Sequence, residues 1–355
     1  MQKAKKRLFS VTAVLLAVLV ALTALLPTAG AAQAATMRSK YTGKSYTHNA
    51  RFNKLEVLNG VDISAWQEKV NWKKIKNDGI DFAILRAGYG KKASQEDAYF
   101  ATNFKNATAA GLPVGIYWYS YAKSVADVEK EARLCLQVLG SRTLDLPVFY
   151  DLEESSQLSR GKAFCTQLVE RFCSIIAAAG HTPGLYMSRS PLLDYIEQET
   201  RGRYALWVAE YGSKTCKYDG DYLMWQYADN GKVAGVNGNT DMDFLYGNKN
   251  SLPGSATLLK SKTYTGKAIT PAPTVTGEDG QPLKADKDYT LTYTNNKAVG
   301  MATITAQGLG TYTGRRWYYR FKILPAKVTG LTLESRSKTR LTYIWNATPG
   351  ANAYL

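Results

Sequence analysis

The stretch VFYDLEESS, residues 148–156, decides the fold: an apolar run ends in three acidic residues. Side chains alternate faces along a strand, so Asp151 and Glu153 point the same way while Leu152 points oppositely. Like charges held close together repel, and one such carboxyl group tends to keep its proton near neutral pH. That property suits acid catalysis. An acidic turn after a strand is the ordinary alternative, so the meaning of the pair depends on the other strands.

Seven further apolar runs have the length of strands, and helical patterns follow the first five runs. The predicted strands cover residues 57–63, 82–87, 113–119, 147–152, 183–187, 205–209, 222–227 and 240–245. The predicted helices lie near residues 71–77, 96–110, 124–139, 162–179 and 191–196. Strands separated by helices predict a parallel sheet, and eight of them predict a closed barrel. The last three connections lack a helical pattern, so the fold class is α/β with an irregular (β/α)5(β)3 TIM-like barrel over residues 57–250. An open doubly wound sheet is the alternative, but no glycine-rich phosphate loop follows the first strand.

The first 56 residues read as an export signal and a linker. Four basic residues between positions 3 and 7 precede an uncharged run over 11–26, and AQA at 32–34 suits a signal peptidase. We predict a signal peptide over 1–34 and a Ser/Thr/Lys/Tyr-rich linker over 35–56, with an uncleaved anchor as the weaker alternative. No later stretch is long and apolar enough to span a bilayer. The expected location is extracellular and associated with a cell wall.

The end of the chain has a different composition. From about residue 256, short alternating runs separated by Gly and Asn predict an all-β sandwich over 255–324, and residues 325–355 begin another that is incomplete. Residues 255–355 hold 14 Lys and Arg against five Asp and Glu, whereas residues 57–254 hold 22 against 23. A basic tail on a neutral body predicts binding to anionic wall polymers. RNA-binding motifs are not evident, so nucleic acid is not an expected partner.

Cysteine and histidine are scarce. The four cysteines contain no C-x-x-C motif and are expected to be buried thiols, with one disulfide left open. The two histidines, His48 and His181, leave no material for a histidine-based zinc site or, apart from His181, for a Ser-His-Asp triad. We therefore expect no metal and no cofactor, and catalysis that depends on carboxylates.

Carboxylates and aromatic rings gather at the ends of the predicted strands, where parallel barrels place their active sites. Asp62, Asp151 with Glu153, Glu210, and Asp241 with Asp243 occupy these ends, and Arg86 is the one cation among the motifs. Alternation does not decide between Asp241 and Asp243. The candidate substrate-binding residues are Tyr89, Tyr117, Tyr119, Tyr186, Trp207, Glu210, Trp225 and Gln226. Sugar rings stack on aromatic faces, so this combination indicates glycoside hydrolysis.

Several motifs resemble, in order, the glycoside hydrolase family 25 lysozymes. They are GVDISAWQ, FAILRAGYG, GIYWYSYA, PVFYDLEE, LWVAEYG and LMWQYADNGKVAGVNGNTDMDFL, spread over about residues 58–247. The resemblance implies an irregular eight-stranded barrel that cleaves the β-1,4 bond after N-acetylmuramic acid in the glycan strands of peptidoglycan. It assigns the D-x-E pair to Asp151 and Glu153, with Asp62 and Asp241 as further catalytic carboxylates. Residues 255–324 resemble, less specifically, Ig-like repeats of bacterial surface proteins, and residues from 325 look like the start of a fibronectin type III domain.

The resemblance also suggests how the carboxylates divide the chemistry. We expect Glu153 to be the general acid, its pKa raised by its acidic neighbour and a partly apolar cleft. Asp151 is expected to stay ionised, either stabilising the oxocarbenium-like state or orienting the 2-acetamido group as an internal nucleophile. Asp62 and Asp241 would position substrate or water. The alternative from another class is a wall-binding or adhesion protein that keeps the barrel as a non-catalytic glycan scaffold.

Overall fold

The structure is a computed structural model that describes residues 34–53, 55–247, 252, 257–277, 280–312 and 315–349. The predicted signal peptide lies outside this range except for its last position. Within the described residues, no helix has both the length and the apolar character needed to cross a membrane.

The segment predicted as a linker, residues 35–56, is folded onto the barrel. It contains strands β1 (Thr36–Arg38) and β2 (Ser45–Thr47), paired antiparallel, and a 3₁₀ turn (Ala50–Phe52). Its aromatic side chains Tyr41, Tyr46 and Phe52 are buried. The ring of Tyr46 packs edge-on against Trp225 and Tyr227, with centroids 5.7 and 4.5 Å away. We call residues 34–48 the N-terminal hairpin.

Eight strands close a barrel, which confirms the predicted number. They are β3 (Glu56–Ile63), β4 (Phe82–Tyr89), β5 (Val114–Tyr119), β6 (Val148–Asp151), β7 (Pro183–Ser188), β8 (Ala205–Ala209), β9 (Met224–Gly231) and β10 (Thr240–Gly247). Neighbours from β3 to β9 are parallel, but β10 is antiparallel to both β9 and β3. This direction differs from the parallel sheet that strands separated by helices predict. An antiparallel neighbour needs only a short return loop, which residues 232–239 provide.

Seven helices of the described chain cover the barrel between β3 and β8. They are α1 (Trp72–Asn77), α2 (Phe100–Ala109), α3 (Val125–Leu139), α4 (Ser155–Leu158), α5 (Lys162–Ala178), α6 (Arg189–Tyr195) and α7 (Gln198–Arg203). Polar side chains start two of them: Asn71 accepts from the Lys74 amide, and Ser124 accepts from the Asp127 amide. Gly111 and Gly180, which follow the ends of α2 and α5, adopt φ of 74° and 91°, which favours glycine.

The inside of the barrel is filled from the base upward. Phe82 and Phe149 are fully buried there, and each ring lies against a glycine. A Cβ atom on Gly60 would lie 2.1 Å from the Phe82 ring, and one on Gly184 would lie 2.4 Å from the Phe149 ring. Glycine therefore makes room for two aromatic rings in the narrow interior. Polar side chains occupy the other end of the barrel, where strands β3 to β9 end.

A separate sheet follows the barrel. Its strands are β11 (Thr257–Leu258), β12 (Lys262–Thr263), β13 (Tyr289–Thr294), β14 (Gly300–Gly308) and β15 (Arg316–Leu324), and β16 (Thr332–Arg336) pairs with β17 (Leu341–Ile344) as an exposed hairpin. β11 and β12 run parallel to β15, while β13, β14 and β15 pair antiparallel, so this sheet is mixed. A second sheet facing it is not among the described residues, and the sandwich stays a prediction.

The sheet contacts the base of the barrel, away from the polar end. Arg320 donates to the Gly180 carbonyl and, at 2.6 Å, to the Thr182 hydroxyl, just before β7 begins. Arg316 pairs with Asp221, which precedes β9. Two arginines of the basic tail therefore face the barrel and not the solvent.

Candidate active site

The topology brings the predicted carboxylates to one end of the barrel. Asp62 lies near the end of β3, and Asp151 is the last residue of β6. Asp241 and Asp243 lie near the start of β10, which is at the same end because β10 runs in the opposite direction. The side chains of both aspartates point into the barrel, as is expected for residues two apart on a strand. The sequence left open which of the two belongs to the site, and the structure places both there.

Asp62, Asp241 and Asp243 form one group, which we call the carboxyl cluster. Asp62 and Asp241 are directly opposite each other on neighbouring strands, and the charges of Asp241 and Asp243 both act on Asp62. Burial and the neighbouring carboxylates raise the pKa of Asp62, and burial raises that of Asp243 well above its ordinary value. Burial and the charge of Asp229 raise the pKa of Asp241 to about 6. The cluster therefore holds protons at mildly acidic pH.

Three predicted substrate-binding residues, Tyr186, Trp207 and Gln226, are buried and take part in the hydrogen bonds that hold the carboxyl cluster. Gln226 donates from Nε2 to Asp62 Oδ2 at 2.7 Å, and its Oε1 accepts from the hydroxyl groups of Tyr186 (2.7 Å) and Tyr211 (2.5 Å). The indole of Trp207 donates to Asp243 Oδ1 at 2.8 Å. Tyr186, Trp207 and Gln226 are 8%, 2% and 2% exposed. Trp207 and Gln226 bind the carboxylates directly, and Tyr186 acts through Gln226.

Trp225 and Glu210 were also predicted to bind substrate, and the structure gives both another place. Gln226 points into the barrel, so its neighbour Trp225 must point outward, where the N-terminal hairpin covers it completely. The Glu210 carboxylate binds the Arg189 side chain at 3.1 Å and the Lys217 amide at 2.7 Å, which fixes the loop after β8. Trp225 does not reach the cleft.

Asp151 and Glu153 differ in their access to solvent. Asp151 is 4% exposed, and its Oδ1 has no hydrogen-bond partner among the described residues. Burial and the charge of Glu153 raise its pKa, while Arg86 opposes them. Glu153 projects into the open mouth, where lost hydration and the charge of Glu154 raise its pKa. The more accessible acid is therefore Glu153.

Tyrosines surround this pair. The Tyr119 hydroxyl donates to Glu154 Oε1 at 2.7 Å. The phenol of Tyr117 lies within the electrostatic reach of Asp62, Arg86 and Asp151. Tyr89 stands beside Arg86, whose guanidinium carbon is 5.6 Å from the ring centroid. These three predicted residues therefore lie close to the carboxylates or to Arg86.

Several residues near the cleft were not assigned to the site from the sequence. Trp66, Tyr121 and Tyr211 follow β3, β5 and β8 and are 83%, 45% and 44% exposed. Asp97 is buried and accepts from Arg86 Nε at 2.7 Å, which holds this guanidinium group where its charge acts on Asp151. The sequence signal for the aromatic residues was present, because each lies just beyond a strand end.

In the residues that the structure describes, no group of three His, Cys, Asp or Glu side chains is arranged to hold a metal ion. Cys135, Cys165, Cys173 and Cys216 are all buried and unpaired.

The comparisons with known proteins agree with this arrangement. The model of glycosyl hydrolases family 25 matches residues 61–236. The uncharacterized protein YegX of Escherichia coli O157:H7 is 31% identical over 206 residues, which are 55% of this chain and 72% of that protein. The autolytic lysozyme of Clostridium acetobutylicum is 26% identical over 186 residues, 52% of this chain and 55% of that protein.

Among solved structures, the barrel resembles the modular autolysin LytC from Streptococcus pneumoniae, determined with a synthetic peptidoglycan ligand. The TM-score is 0.50 at 22% identity, over 60% of this chain and 52% of that one, so the likeness concerns the fold. This chain spans about half the length of LytC. With a family model that matches the barrel and a relative more than 30% identical, the chain belongs to glycosyl hydrolases family 25 and is a glycoside hydrolase.

Proposed function

We propose that the protein is a muramidase, which hydrolyses the β-1,4 bond between N-acetylmuramic acid and N-acetylglucosamine in peptidoglycan. The observation that carries the proposal is the position of Glu153 and Asp151 at the barrel mouth, beside the carboxyl cluster. Relatives named as lysozyme and autolysin support the substrate class. Two carboxyl groups in unequal surroundings are what glycoside hydrolysis requires.

Glu153 acts as the general acid in this proposal. Its carboxyl group is accessible and its pKa is raised, so it keeps its proton to a higher pH than an ordinary glutamate and can transfer it to the leaving glycosidic oxygen. Glu154 is less suited, because it accepts the Tyr119 hydroxyl.

Asp151 acts on the sugar on the other side of the cleaved bond, whose anomeric carbon gains positive charge in the transition state. One route is direct stabilisation or attack by its carboxylate, and the other is attack by the oxygen of the 2-acetamido group, with Asp151 orienting that group. The unpartnered Asp151 Oδ1 supports the second route, because it can accept the acetamido N–H. Asp62 and Asp241 position water or substrate from the facing strands.

The alternative function is glycan binding without hydrolysis. The experiment that decides is digestion of purified peptidoglycan by the full chain, followed by chemical identification of the new reducing ends. Reducing N-acetylmuramic acid supports the proposal. Reducing N-acetylglucosamine would contradict the bond assignment, and sedimentation with the wall without any new reducing end would favour the binding scaffold.

We also propose that the protein works outside the cell and that its basic tail holds it on anionic wall polymers. The excess of positive charge beyond residue 255 supports this, although Arg316 and Arg320 are engaged with the barrel. Lysines such as Lys260, Lys262, Lys267 and Lys322 remain exposed for that role.

A further inference from the structure

A second cavity lies beside the carboxylates, between the N-terminal hairpin and the barrel mouth. Its volume is about 570 Å³, enough for part of a ligand. Three segments form its walls: strands β1 and β2 of the hairpin, the loop after β8, and the end of β9. The family match begins at residue 61, so the hairpin wall belongs to a part of the chain outside that match.

The hairpin wall is held in place by the barrel. The Thr47 amide donates to the Lys214 carbonyl at 2.7 Å, which joins β2 to the loop after β8. The hydroxyl groups of Ser39 and Tyr227 are 3.0 Å apart, and Tyr46 is buried beneath the wall. A wall with these contacts exists before any ligand arrives, so little ordering accompanies binding.

The cavity adjoins the proposed catalytic residues. Tyr211 lines it and also donates its hydroxyl to Gln226, which binds Asp62. Asp229 lines it too, and its charge acts on Asp241. A ligand chain that passes from the carboxylates around Tyr211 therefore enters this cavity.

The side chains of the cavity favour a ligand that carries charge. Lys44 and Lys214 are exposed, and neither makes an ion pair within the described part of the chain. Asp229 supplies a negative charge, and Ser45 and Ser213 supply hydroxyl groups. A neutral sugar would need open aromatic faces, and Tyr211 is the one exposed ring of this wall. Peptides offer carboxylates, ammonium groups and amides, which match the two lysines, Asp229 and the hydroxyls.

We propose that this cavity is a subsite for the peptide arm that peptidoglycan glycan strands carry, with Lys44 and Lys214 binding its carboxylates. The inference rests on the proposed function and adds a second specificity element to it. The enzyme would then distinguish glycan that bears peptide from glycan that has been stripped of it.

The test measures binding and hydrolysis separately. Glu153→Gln protein prevents turnover, and calorimetry gives its Kd for two soluble oligosaccharides of the same glycan, one with and one without the peptide. We expect the double variant Lys44→Ala/Lys214→Ala to weaken binding of the peptide-bearing ligand about tenfold, near the upper range for two exposed ion pairs. The control Lys73→Ala/Lys105→Ala removes the same charge from exposed positions on α1 and α2 and should leave this Kd unchanged.

The outcomes are distinct. Weaker binding of only the peptide-bearing ligand supports the subsite. Equally weaker binding of both ligands would mean that the cavity binds the sugar and not the peptide. An unchanged Kd for both would mean that the cavity binds neither. Either result overturns the proposal. Hydrolysis of peptide-free glycan by the native protein tests the proposed function alone. If that hydrolysis is not observed, the binding measurements still show whether the cavity binds peptide.

Discussion

Asp62 and Asp241 lie directly opposite each other where β10 closes the barrel against β3. Like charges paired across two strands destabilise a sheet, and burial adds to that cost. Two features reduce this repulsion: the Gln226 amide donates to Asp62, and the raised pKa values of both carboxyl groups favour their neutral forms. Stability and chemistry at this site therefore depend on the same protons.

The first prediction concerns stability and pH. Burial raises the pKa of Asp243, so the folded protein favours the protonated form of this group. The resulting stabilisation is complete below about pH 4, where an ordinary aspartate is also protonated, and it is lost as the pH rises through the raised pKa. Asp243→Asn stays neutral and can still accept from Trp207. Its Tm should therefore exceed that of the native protein at pH 8 by more than at pH 4. The exposed control Asp194→Asn should show no such difference, and an equal shift at both pH values for Asp243→Asn would contradict the prediction.

A second prediction tests the general acid. Glu153→Gln keeps the shape of the side chain but cannot donate a proton to the leaving oxygen, so kcat should fall by about 10² to 10⁴. Reducing ends released from peptidoglycan provide the measurement, and an unchanged melting curve shows that the variant is folded. The exposed control Glu199→Gln should retain native activity. If Glu153→Gln stays within a few-fold of the native rate, another residue is the acid.

The third prediction is a pH–rate profile that falls on both sides of a mildly acidic optimum. The alkaline limb arises when Glu153 loses its proton, and the acidic limb arises when the carboxyl cluster gains protons. The pKa of Asp241 is about 6, so Asp241→Asn should alter the acidic limb. The measurement is kcat/KM from pH 4 to 9 for both proteins. A flat native profile, or an acidic limb that the variant leaves in place, would show that this group does not control the rate.

The N-terminal hairpin gives a fourth prediction. Tyr46 is 3% exposed and packs on Trp225 and Tyr227, so Tyr46→Ala should lower the free energy of unfolding by about 3 kcal/mol. Tyr343→Ala, at a side chain that is 47% exposed, is the matched control and should cost far less. Denaturant unfolding provides both values. A loss below about 1 kcal/mol for Tyr46→Ala would mean that the hairpin does not stabilise the barrel.

The fifth prediction concerns the tail. Changing Lys260, Lys262, Lys267 and Lys322 to Gln should weaken sedimentation with wall sacs that contain anionic polymers, while turnover of small soluble glycans stays unchanged. Binding by the native protein should decline with salt, because exposed charges are screened beyond roughly 10 Å at 0.1 M. The control replaces the exposed barrel lysines Lys69, Lys73, Lys74 and Lys105. Equal loss in both variants would indicate net charge alone and not a tail site.

The sequence was sufficient for the barrel strands and the position of the carboxylates, because both depend on apolar runs and their ends. The direction of β10 was not predictable in the same way, since alternation along a strand is the same in both directions. The hairpin was missed because Thr, Ser and Lys separate its buried aromatic residues, and that composition resembles a linker.

Side-chain roles at the site were harder to predict than positions. Trp225 and Gln226 are adjacent, and their strand pattern does not show which of the two points into the barrel. Packing against Tyr46 decides it. The buried supporting role of Tyr186 and Trp207 depends on hydrogen bonds between strands far apart in sequence, which local patterns do not contain.

The antiparallel closing strand also links enzymatic activity to completion of the chain. A growing polypeptide that ends before residue 240 lacks both Asp241 and the strand that seals β3 to β9, so its barrel stays open with two exposed edges. Contacts between such distant segments form late, since a long loop must close first. We therefore expect a chain that ends before residue 240 to lack glycosidase activity, so that activity appears only once the whole barrel is complete.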